Sequence, residues 1–213
     1  MSRHTILIAS LSLCLSLAVS ASASGKTRPS IALQSTPEWK VFVYGFPGLS
    51  SPVVKGAETE ADSILRASTI HLQWIDCTSP VLPSPCQLPQ APTDLIIRFI
   101  AKPLPQASAE ALGIAGPVGD LAAAFIFYDR IVALRGHNRM LSTMIGRVLA
   151  HEITHLLVPQ ESHTTFGLMR GQWSIDDLSV TSAACRGLSV RAVQRMHGEA
   201  LRKMGIKPAT LDK

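Results

Sequence analysis

The sequence predicts a single α/β (or α+β) domain: a four-stranded, mixed, twisted sheet with one backing helix and one long site-bearing helix, followed by a small helical C-terminal part. Three observations carry this. Short runs rich in β-branched and aromatic residues recur from Lys40 to Ile131, with one stretch of helical period between the first two. The segment Val148–Leu157 is apolar except for two histidines, a glutamate and a threonine. No glycine- or serine-rich linker divides the chain, and 46% hydrophobic content suffices for one sizeable core.

The elements follow in order. Arg3 and His4 precede an apolar stretch from Ile6 to Val19, and Ala21-Ser22-Ala23 offers small residues for cleavage, so residues 1–23 read as a secretory signal peptide and 24–213 as the single domain. Cys14 lies inside this stretch after Leu13, which lacks the small side chain that a lipid-attachment site wants. The expected location is outside the cytoplasm, secreted or periplasmic, without stable membrane insertion once the leader is removed. Lys40–Phe46 alternates as a first strand. Glu58–Thr69 places Ala61, Ile64 and Leu65 at helical spacing, and His71–Asp76 alternates again. Asp94–Ile100 is almost continuously apolar, as a strand buried on both faces must be. Pro103 and Pro105 break the chain, Gly113–Gly119 reads as a loop, and Ala122–Ile131 as the fourth strand. A long helix spans about Met140 to Val158 and stops before Pro159. Beyond it, Ser174-Ile175-Asp176-Asp177 has the form of a capping box, and Ser189 opens a helix carried by Val190, Val193, Leu201 and Met204 and closed by Gly205.

Cys77 and Cys86 bracket the proline-rich stretch Thr78–Pro85. In an oxidising compartment they should pair, and closing so short a ring contributes roughly 2 to 3 kcal/mol in the chain-entropy model. Cys185 is then left over and expected to be buried and inert. Without the leader, which holds Arg3 and no acid, 20 − 1 = 19 basic residues stand against 15 acidic ones, a net +4. That mild excess gathers near the C-terminus as the solvated face of a helix, and 5% aromatic content is too little for a nucleic-acid platform.

The chemistry resides in His151-Glu152-Ile153-Thr154-His155. Histidines four apart on a helix share one face and can close on one Zn²⁺, while Glu152 points beside the metal where it can take a proton from water. After Pro159 comes a polar loop with a third histidine, His163, and then Gly167-Leu168-Met169. The order HExxH, third histidine, Gly-x-Met resembles the metzincin clan of zinc peptidases, and HEITHLLVPQESHTTFGLMRGQW is similar to small secreted bacterial metzincin-like proteins. The departures are a loop two residues longer than the clan's, Pro159 in the glycine region and Thr154 where those bacterial proteins have glycine. Glu161 occupies the clan's usual third-ligand position, and Asp176 or Asp177 could serve as an acidic ligand from a later helix, but imidazole is the better zinc ligand and His163 is favoured.

The resemblance implies a metzincin-like fold, a zinc ion on His151, His155 and His163, and Met169 as an apolar floor under the histidines. It implies peptide-bond hydrolysis by a zinc-activated water with Glu152 as general base, the work of an endopeptidase on peptide or protein substrates. Phe125, Phe127 and Tyr128, on a strand taken as the sheet edge, are candidates for docking an extended peptide. A monomer is expected. The competing reading is a non-catalytic exported protein-binding module that keeps a zinc ion, against which the intact Glu152 argues.

Overall fold

The computed structural model describes residues 38–87, 90–91, 93–135, 140–158, 163–174 and 177–178, with isolated positions at 195, 198 and 202. Strand β1 (Glu38–Tyr44) leads into helix α1 (Ser51–Arg66), strand β2 (His71–Cys77), a short helical turn α2 (Ser84–Gln87), strands β3 (Leu95–Ile100), β4 (Gly113–Val118) and β5 (Leu121–Phe127), helix α3 (Tyr128–Arg135) and helix α4 (Leu141–Leu157). The sheet has five strands in the order β2-β1-β3-β5-β4, all parallel except β4, which runs antiparallel to β5.

The mixed sheet agrees with the sequence reading, but the four-strand count does not. Gly113–Gly119, expected as a loop, is β4 plus the turn that follows. Pro117 cannot donate to a ladder, which suits a strand paired on one side. The turn is the two-residue Gly119-Asp120, with φ +62° at the glycine, where a hairpin wants positive φ at its first central position. The expected strand Ala122–Ile131 ends at Phe127, and α3 begins at Tyr128. Helix α1 begins seven residues earlier than its apolar period suggested, because Pro52 fits the first turn of a helix.

One face of the sheet carries Val41, Val43, Leu95, Ile97, Ala124 and Ile126 into the main core, where α1 and α4 lie. The two helices cross closely at Gly146: a Cβ there would come within 2.7 Å of the Ala57 carbonyl oxygen. On the opposite face Phe42, Ile96 and Ala123 pack with Cys77 and Cys86, which are disulfide-bonded as expected, their Cα atoms 5.8 Å apart. The expected signal peptide, Cys185, Glu161, Asp176 and the helix expected from Ser189 to Met204 lie outside the described residues, apart from three isolated positions. Among the described residues no helix is long and apolar enough to cross a membrane.

Candidate metal centre and active site

Helix α4 is buried almost all round, as its nearly charge-free sequence requires. It ends at Leu157 because Val158 adopts an extended conformation (φ −133°, ψ 77°) ahead of Pro159. On its last turns His151 and Glu152 are buried and His155 is partly exposed.

The third histidine comes from a loop that closes on itself. Thr164 N–H donates to the Met169 carbonyl at 2.7 Å and Gly171 N–H to the Thr164 carbonyl at 3.3 Å, with Gly167 at φ +80° turning the chain. This loop presents His163 to α4 from outside. It is also tied to the helix from below, because His151 Nδ1 lies 2.8 Å from the Leu168 carbonyl oxygen. A carbonyl can only accept, so Nδ1 carries the proton and the lone pair of Nε2 faces the other two rings.

The three Nε2 atoms converge. His155 Nε2 stands 3.2 Å from His151 Nε2 and 3.1 Å from His163 Nε2. A single N–H can satisfy one of these contacts and not both. Three nitrogens on a tetrahedral zinc, each 2.0–2.1 Å from it, would stand about 3.4 Å apart, close to these two spacings. His151, His155 and His163 are therefore a histidine triad able to hold a metal ion. Burial lowers the pKa of both helix histidines to about 4, with the charges of neighbouring rings adding to the effect, so both are neutral ligands at neutral pH.

Glu152 lies beside the triad, and burial pushes its carboxyl up to about 8. It lines two connected hollows. The larger, about 670 Å³, runs between α4 and β4 and past His155 and His163; the smaller, about 300 Å³, lies on the side of Gly171 and Trp173. Gly113, the first residue of β4, touches Glu152 so closely that a Cβ would fall 2.7 Å from Oε1 and 2.9 Å from Cγ. The absence of a side chain at position 113 is what seats the glutamate.

Met169 is buried in the main core, next to the Leu168 carbonyl that orients His151. The docking strand needs correction. Strand β5 is not an edge: β3 and β4 flank it and use its backbone groups on both sides. Phe127 is fully buried and lies 5.4 Å from the Arg130 guanidinium, Tyr128 packs edge-on against Phe46, and Phe125 lines a small hollow with Tyr44 and Arg98, away from the triad. The strand that borders the cleft is β4. Its glycines and proline hid it, although the Gly119-Asp120 turn between two apolar runs was a hairpin signal.

Asp177 is occupied elsewhere. Its backbone N–H donates to Ser174 Oγ at 3.2 Å while its Oδ2 accepts from the Ser174 N–H at 3.0 Å, the reciprocal pair of a capping box, and it also pairs with Arg170. Its backbone carbonyl accepts from Arg147 Nη1 at 2.5 Å, and Arg147, fully buried one turn before His151, faces Glu60 of α1 at 3.6 Å. Sequence reasoning passed over Arg147, Gly113 and Trp173, whose ring lies edge-on 6.0 Å from that of His151.

No family model and no curated protein matches the sequence. Among solved structures the chain is similar to archaemetzincin from Methanopyrus kandleri, with a TM-score of 0.52 at 14% identity, covering 78% of this chain and 98% of that one. The fold is archaemetzincin-like. At that identity the likeness speaks for the fold, and the chemistry rests on the triad and Glu152.

Proposed function

We propose that this chain is an exported zinc metallopeptidase in which His151, His155 and His163 hold the metal and Glu152 moves the proton. The convergence of three Nε2 atoms beside a buried glutamate, on the wall of an open cleft, carries the reading. Zinc held there would supply a Lewis acid that polarises the scissile carbonyl and acidifies water.

The protein's own groups do the rest. Glu152 accepts the proton of the attacking water and returns it to the amide nitrogen as the C–N bond breaks, a transfer typically worth about 10²–10⁴-fold. His151 is held in the right tautomer by the Leu168 carbonyl. Met169 provides an apolar floor next to that carbonyl. An extended peptide lies along β4, which pairs only with β5 among the described strands and so offers its other edge to the cleft. Binding a chain in extended form, by its backbone, suits an endopeptidase. The apolar leader and the Cys77–Cys86 bridge support export.

The test is cleavage of a mixed peptide library by the mature protein, before and after chelation and after zinc is restored. Cleavage lost with the chelator and recovered with zinc is the expected result. A zinc-loaded protein that cleaves nothing would favour the alternative, an exported binding module.

A further inference from the structure

The charge lining the cleft runs against that of the whole chain. The chain carries 20 lysines and arginines against 15 acids, yet among the described residues that wall the two hollows the charged side chains are Glu110, Asp120 and Glu152, with no lysine or arginine.

The smaller hollow narrows this further. It begins at His151, Glu152 and His163, so a side chain of a peptide held at the triad can enter it directly. Its apolar lining is Leu112, Val148 and the half-buried Trp173, beside the polar Ser108 and Gln172. At its rim Glu110 Oε2 accepts from Gln172 Nε2 at 3.1 Å. The amide fixes the carboxylate in place without cancelling its charge. Two cations lie near by and neither is part of the wall: Arg130 of α3 donates from Nη1 to the Ser108 and Ala111 carbonyls, both at 2.6 Å, and Arg170, next to Gly171, pairs with Asp177. A hollow of about 300 Å³ that is lined by two aliphatic side chains, an indole and a carboxylate, among other polar groups, fits a long aliphatic stem that ends in a cation.

We infer that the hollow between Glu110 and Trp173 is a specificity pocket for a lysine or arginine side chain of the peptide substrate. This rests on the peptidase reading, and it makes Glu110 the residue that selects the substrate's charge. Gln172 positions Glu110.

The experiment uses alanine-rich octapeptides carrying a single lysine, arginine, norleucine or glutamate at each position in turn. Cleavage is measured with the zinc-loaded mature protein, and binding of the fluorescein-labelled peptides by anisotropy with zinc-loaded Glu152→Gln. At one position lysine or arginine should exceed norleucine by about tenfold in kcat/KM, the scale of one partly exposed charged hydrogen bond. Glu110→Gln should reduce that ratio to near unity, and Glu110→Lys should turn the preference toward glutamate. No cation preference at any position, or one that survives Glu110→Gln, overturns the pocket. If nothing is cleaved, the binding ratio still decides: a cation preference that needs Glu110 keeps the pocket while the hydrolytic reading falls, and its absence overturns the pocket too.

Discussion

The two halves of the triad are built on different terms. His151 and His155 stand on α4, where 14 of 17 residues are buried and the helix period alone sets the spacing of the two rings. His163 stands exposed on a loop whose shape comes from a few backbone hydrogen bonds and one left-handed glycine. Besides the ring contact between His155 and His163, a bond from His151 Nδ1 to the Leu168 carbonyl joins the halves. The helix half is therefore ordered by the core whether or not a metal is present, and the loop half is where metal binding and local ordering are coupled.

That difference is broken most forcefully by removing ligands one at a time. His151→Ala and His163→Ala should each weaken zinc binding by more than about 100-fold, beyond what loss of an outer-shell partner causes. They should part company in the metal-free protein. His151→Ala leaves the Leu168 carbonyl buried without its donor and should cost about 1–3 kcal/mol, whereas His163→Ala should leave the melting temperature almost where it was. Zinc titration and thermal melts after chelation check both. Glu161→Ala should weaken zinc far less than His163→Ala, and equal losses would contradict a three-histidine site.

A smaller effect sharpens the helix side. Gly113→Ala puts a methyl group against the Glu152 side chain, where the Cβ would lie 2.7 Å from Oε1. Displacement of a reacting group on the order of 1 Å can cost about 10²-fold in rate. The expected result is a fall in kcat of about ten- to a hundredfold at unchanged zinc content. In a Glu152→Asp background, where the carboxylate is withdrawn by one methylene, Gly113→Ala should cost much less. An additive double mutant would show that Gly113 acts on something other than Glu152.

The smallest effect is a pH dependence confined to the metal-free protein. His151 and His155 have pKa values lowered to about 4, so the unfolded chain binds more protons than the folded one between about 4 and 6.5, and stability falls as pH drops through that window. Glu152, raised to about 8, works the other way: its stabilisation is full below 4.5 and is lost as pH rises toward 8. Two histidines outweigh one glutamate below pH 6.5 and only the glutamate acts above it, so these groups place a stability maximum near pH 6.5. Glu152→Gln should flatten the alkaline side. Chemical denaturation of chelated protein from pH 4.5 to 8.5 measures it.

How much of this was legible follows the same division. The long helix and its three site residues could be read because a 3.6-residue period, an absence of charge and a following proline all agree. The Cys77–Cys86 bridge and the Ser174–Asp177 cap were legible for a similar reason: each is a local pairing. Strand β4 was not. Gly113, Gly116 and Pro117 look like loop residues, and what makes them a strand is the partner strand β5 together with an edge that tolerates proline. Without β4, β5 reads as the edge and Phe125, Phe127 and Tyr128 as the docking surface. Gly113 against Glu152 and Arg147 between Asp177 and Glu60 are long-range contacts that no spacing in the sequence announces.

The most direct test of the account is the rate of peptide cleavage by Glu152→Gln against that of the wild type, at matched and independently measured zinc content. The amide keeps the volume of the carboxylate but cannot take up the proton. One zinc per chain in both proteins, similar melting temperatures and a rate lower by about 10²–10⁴-fold in the variant are expected. Equal rates at equal zinc content would contradict the account.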